Sequence, residues 1–138
     1  MDEKGDFWIG SNTGLGQYTP STNRYHPLPT SLFGEVSSVI CDHRGKVWIG
    51  ADHMLFAWML QSRKFILFGE SDGVIPNEYL AKPRLVSGKG EVYMGGANGL
   101  LCIDNRFSTA PSDFPEVELT DVYINGEPAI KQITGQPE

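Results

Sequence analysis

Basic charge is scarce in this sequence. Eleven Lys and Arg against 17 Asp and Glu leave a net charge of −6 and an isoelectric point near 5.0. With so little basic surface, the counterion release that draws proteins onto phosphate backbones has little to act on, and nucleic acid is not an expected partner. Long apolar runs are lacking as well. No stretch of 18 apolar residues occurs, so no membrane-spanning helix is expected, and residues 2–10 enter a strand pattern with no charged-then-apolar leader. By itself this segment is expected to make no membrane contact.

Cysteine is reduced to Cys41 and Cys102, each inside an apolar strand pattern where a free thiol behaves as a small buried hydrophobe. Without a Cys-x-x-Cys pair there is no thiolate zinc site. Helical chemistry is missing too. His26, His43 and His53 fall in separate turns or strand ends, with no His-x-x-x-His and no paired-carboxylate spacing. No catalytic residue, metal site or cofactor is therefore expected. The glycines at 14–16 and 95–99 are not phosphate loops, because such a loop leads into a helix N-terminus and here more strand follows.

What the sequence does contain is turn residues and repetition. Glycine numbers 16 of 138 and proline 9, well above the roughly 7% usual for glycine, which points to many tight turns between short strands. Gly5-Asp-Phe-Trp-Ile-Gly10 matches Gly45-Lys-Val-Trp-Ile-Gly50 and Gly90-Glu-Val-Tyr-Met-Gly95. The register then holds through Leu15, Leu55 and Leu100, with Met54 standing where the other copies have Gly14 and Gly99. All-strand repeats offset by 40 and then 45 residues predict the blades of a β-propeller. The fold class is therefore all-β, built of four-stranded antiparallel meanders.

Strands are predicted at 7–10, 15–19 and 24–27 in a first, truncated copy (2–28). In a complete copy (36–68) they fall at 36–41, 46–50, 55–59 and 64–68. In a third (82–104) they fall at 83–87, 91–95 and 100–104. The middle copy is apolar on both strand faces, as Val47-Trp48-Ile49 and Phe56-Ala57-Trp58 show, so its sheet is expected to be covered on both sides. Asn98-Gly99 between apolar runs predicts a tight hairpin with positive φ angles. Residues 106–115 read as linker, and 116–124 as a strand that either closes the third copy or opens a following domain.

The pattern Asp-x-x-Gly-x-φ-Trp-φ-Gly-x-x-x-Gly-Leu, with φ apolar, resembles the two-component regulator propeller repeat. Asp42-His-Arg-Gly-Lys-Val-Trp-Ile-Gly50 is close to its ideal form, and Leu-Thr-Asp-Val-Tyr-Ile-Asn-Gly126 looks like the lead-in to the immunoglobulin-like domain that follows such propellers. The resemblance implies the C-terminal part of the periplasmic sensor region of a Bacteroides-type hybrid histidine kinase that detects carbohydrate. The kinase, phosphoacceptor and DNA-binding segments of that family are absent from these residues.

Trp8, Trp48 and Tyr93, with Gly10, Gly50 and Gly95, are the repeat's own positions, and packing between blades is their expected role. Ligand contacts are expected on one rim, formed by 11–14, 28–35, 51–54, 69–82 and 96–99. Asp52, His53, Asn77 and Tyr79 are the candidates there, with an oligosaccharide as the candidate ligand. Turn and packing roles compete with that reading, and Asn77 and Tyr79 in particular suit a pin for the long connection. The alternative function is a structural or dimerisation module with no small ligand. Since propellers close with about four to eight blades, roughly three blades predict an excised fragment. Its open faces are expected to drive homo-oligomerisation.

Overall fold

A computed structural model describes residues 1–28 and 33–104, and the backbone of 123–124 and 127–128. The chain divides into two compact units, Met1–Phe107 and Ser108–Glu138. In the first unit three antiparallel sheets follow one another. Strands β1 (Phe7–Ser11), β2 (Gly14–Thr19) and β3 (Arg24–Pro27) form the first sheet. The second is a four-stranded meander of β4 (Val36–Cys41), β5 (Lys46–Ala51), β6 (Met54–Met59) and β7 (Lys64–Phe68). The third comprises β8 (Tyr79–Val86), β9 (Val92–Gly96) and β10 (Gly99–Ile103). Three meanders in series, with no closed barrel, make a partial propeller. In the second unit Tyr123–Ile124 and Glu127–Pro128 pair antiparallel, while the rest of the predicted strand at 116–122 lies outside the described residues.

One turn is built the same way three times. Asp42 Oδ1 accepts from the Arg44 and Lys46 amides at 2.8 and 3.0 Å, and its Oδ2 accepts from Trp48 Nε1 at 3.3 Å. Asp2 does the same for Lys4, Asp6 and Trp8 at 2.9, 3.0 and 2.9 Å. In the third copy Ser87 Oγ accepts from the Lys89 and Glu91 amides, and Glu91 carries the link onward by accepting from the Tyr93 hydroxyl. Gly5, Gly45 and Gly90 close these turns at φ +85°, +88° and +81°, a region costly for residues with a Cβ.

The clamp aims Trp8 and Trp48 at the following sheet. Trp48, Leu55, Ala57 and Phe68 of the second sheet pack on Tyr79, Val92, Met94 and Ile103 of the third. The opposite face of the second sheet, with Val47, Ile49, Phe56 and Trp58, packs on Leu15 and Trp8 of the first. The middle sheet is thus covered on both faces, as its apolar runs require. The glycines two residues beyond the aromatics give the backbone room. A Cβ on Gly10 would stand 2.4 Å from Val36, and one on Gly50 2.5 Å from Tyr79.

Two expectations change. The third sheet begins at Tyr79, four residues before the predicted strand: Tyr79 pairs with Gly96, and the register then slips before Arg84. Pro83, lacking an amide hydrogen, sits in that irregular stretch and disguises the strand. Cys102 is exposed while Cys41 is buried, and both thiols are free, because Cys102 lies opposite Tyr93 on the outward face of the third sheet.

Candidate functional site

The β5–β6 and β9–β10 turns and the connections entering β4 and β8 meet on one rim. In the first and third copies a two-residue turn is followed by a glycine, Gly14 at φ +122° or Gly99 at +120°. Asn98 itself keeps a negative φ, so the glycine alone meets the demand for which the Asn-Gly pair was read. The second copy has Met54 at that place, and the left-handed conformation moves into the turn, to Asp52 at φ +47° and His53 at +66°. Two consecutive left-handed residues match the twist of a hairpin, but in side chains other than Gly or Asn they cost about 1 kcal/mol or more each.

Hydrogen bonds on both sides hold this strained turn. Asp52 Oδ2 accepts from the Gly34 amide at 2.7 Å, and the His53 carbonyl accepts from the Asn77 amide at 3.0 Å. Asn77 extends the chain of contacts: its Oδ1 accepts from the Asn98 amide at 2.9 Å, and its Nδ2 donates to the Gly99 carbonyl at 3.4 Å. Asn98 Nδ2 in turn donates to the Pro76 carbonyl at 3.2 Å. The four rim candidates therefore part into pairs. Asp52 and His53 are exposed. Asn77 and Tyr79 are only 4% and 2% exposed, the first spent on loop contacts and the second packed over Gly50, with its phenol pushed above the ordinary tyrosine value by burial. Gly34 and Asn98, which lie in the expected rim segments but are not among the four candidates, complete the rim.

The opposite end of the stack is built differently. Phe33 plugs the first and second sheets at the rim end, its ring 4.8 Å from Phe56 and 5.5 Å from Phe65. Toward the other end the two sheets part around a cavity of about 690 Å³. Its walls include Trp8 and Trp58, whose ring centres stand 6.4 Å apart at 50°. At the outer face of the third sheet Tyr93 has its phenol pushed up to about 12 by the neighbouring Cys102 thiol and by Glu91.

Solved structures share this fold. The extracellular domain of a hybrid two-component system from Bacteroides thetaiotaomicron superposes with a TM-score of 0.68 at 17% identity, over 91% of this chain and 19% of that one. The extracellular domain of a one-component system from the same organism gives 0.57 at 26% identity, over 77% of this chain and 14% of its own. The fold is that of extracellular sensor domains. None of these matches is to a catalytic domain. Among curated proteins, a histidine kinase of Formosa agariphila is 27% identical over 92 residues, which is 67% of this chain and 7% of that protein. This chain thus spans less than a fifth of the proteins it matches. No protein-family model matches it. Among the described residues no helix is long and apolar enough to cross a membrane, and no cluster of metal-ligating side chains occurs.

Proposed function

We propose that the chain is a ligand-sensing propeller segment of a two-component sensor, acting outside the cytoplasm, and that its ligand is an oligosaccharide. The observation that carries the sensing role is the superposition on extracellular domains of a hybrid two-component system and a one-component system over most of the chain. The kinase that would receive the signal is not among these residues. Support for a rim contact comes from the second copy's turn. Two strained, exposed polar residues are held in place by bonds to both flanking connections, and strain retained at a surface is a mark of functional sites.

Calorimetric titration of the intact sensor region with oligosaccharides selected on a glycan array tests this reading. His53→Ala is expected to weaken binding about tenfold, the loss of one or two hydrogen bonds in a partly dry site. Tyr79→Phe is expected to leave affinity within about twofold, since the buried ring serves packing. Unchanged affinity after both Asp52→Ala and His53→Ala removes the rim contact. The competing reading, an interaction module without a small ligand, draws on the apolar residues left exposed on the end sheets, and an empty glycan array on the intact region would favour it.

A further inference from the structure

The cavity between the first and second sheets is about four times the volume of the one at the next interface, which is about 170 Å³ and lined by Trp48, Leu55, Phe68 and Ile103. At structurally equivalent places the second sheet turns Ala57 and Ile66 toward its successor, a directly opposed cross-strand pair. The first sheet turns Gln17 and His26, also directly opposed. One step outward, Met59 and Phe68 are matched by Thr19 and Leu28. Apolar fillers have been exchanged for polar and smaller groups at a single join. In consequence Trp8 is half-buried, whereas Trp48 at the equivalent position is 2% exposed.

Hydrogen bonds brace the walls of this cavity and use up the Trp8 and Gln17 donors, leaving the cationic side chains at its mouth. Asp2 accepts from Trp8 Nε1 and so sets the plane of the indole, while Trp58 is held against Phe65 at 4.5 Å. The carboxylate of Asp2 is spent on three donors, and that of Asp6 accepts from Gln17 Nε2 at 2.7 Å. Lys4 and Arg63, at the mouth, make no ion pair with any described residue, and neither does His26. Arg63 is further held at φ +55°, where the first copy uses Asn23 at +52°, a residue far better suited to that conformation.

We infer that this inter-sheet cleft binds an acidic oligosaccharide, one whose rings carry carboxylates, with the half-buried Trp8, backed by the buried Trp58, stacking on a sugar face and Lys4 and Arg63 receiving the charge. The inference deepens the saccharide reading and rests on it, but it places the ligand at the end of the stack opposite the Asp52-His53 turn. A volume of about 690 Å³ falls in the usual range of roughly 300–1,000 Å³ for small-ligand sites. The guanidinium fork suits a carboxylate, and the flat indole of Trp8 suits a pyranose ring.

The test uses the whole chain, oligogalacturonate as probe and its carboxyl-reduced, neutral counterpart as control, with tryptophan fluorescence and calorimetry as readouts. Oligogalacturonate is expected to bind with a change in indole emission. The neutral form is expected to bind at least about tenfold more weakly, the loss of charge-assisted hydrogen bonds, and added salt should narrow that gap. The double variant Gln17→Ala, His26→Ile installs the filler pair of the second sheet, and it should abolish binding while keeping the far-ultraviolet dichroism of the wild type. Lys4→Ala, on the exposed mouth, should reduce affinity without affecting folding. If the filled variant is folded and still binds, or if neutral and acidic probes bind alike, the cleft assignment is overturned. Loss of binding in His53→Ala but not in the filled variant also overturns it, leaving the saccharide reading intact. If neither probe binds the wild type, the cleft falls, and a glycan array on the intact sensor region decides the broader reading separately.

Discussion

At the scale of single residues, Asp42 carries more than its size suggests. One buried carboxylate satisfies two backbone amides and the indole of Trp48, so removing it strands donors in a place water does not reach. Asp42→Ala is expected to cost about 2–4 kcal/mol, read as a lower urea midpoint at unchanged slope. Asp42→Ser should cost roughly half as much, because a hydroxyl can hold the two amides as Ser87 does. Tyr79 gives a pH-dependent test. Its phenol is raised above 10.0 by burial, so the fold holds the proton at a pH where the unfolded chain has lost it. Its stabilising effect is complete below pH 10 and is lost as pH rises above that value. Stability measured across the alkaline range should therefore fall less steeply in Tyr79→Phe than in the wild type.

At the scale of elements, two kinds of glycine are separable by substitution. Gly45 has open space around it but a φ of +88°, and Gly45→Ala should cost about 1 kcal/mol of backbone strain. Gly50 has no such constraint on φ, but an added Cβ would lie 2.5 Å from Tyr79. Gly50→Ala should therefore cost about 3 kcal/mol by overpacking between two sheets, and chemical denaturation of both variants checks the order. Most of the strands were legible in the sequence because the copies share a register and apolar runs of strand length lie between turns. Tyr79–Lys82 escaped, since Pro83 and the charges beside it mimic a loop. The difference between Asp52 or His53 and Asn77 or Tyr79 was equally hidden. All four are rim residues by position, and only the packing of β8 over Gly50 shows which pair is inside. The exchange of Ala57–Ile66 for Gln17–His26 is written in the aligned copies, yet it means little until the pairing register shows that both residues face the same interface.

For the molecule as a whole, the end sheets leave apolar side chains uncovered. On the first sheet Phe7, Ile9 and Tyr25 are 45%, 43% and 51% exposed, and on the third Leu85 and Leu100 are 59% and 66% exposed. These two faces differ, so contact between them joins copies head to tail, a geometry that closes into rings or extends without limit. Association that grows with concentration is the expected result in sedimentation velocity, and Leu100→Glu should suppress it by placing a charge on an apolar face. A wild type that remains monomeric at high concentration would remove this expectation.

The shared direction of the clamped aromatics and their glycines has one more consequence. Trp8, Trp48 and Tyr93 occupy the same place in each copy, and Trp8 and Trp48 both look toward the next sheet. Each copy therefore encodes the socket for its successor rather than a core of its own, and the series has a sense, like bricks with studs on one side only. A copy can be duplicated or lost between two neighbours and the joint re-forms, provided the order is kept, whereas a reversed copy would set stud against stud. Lengthening such a stack needs no new interior, only another brick laid the same way up.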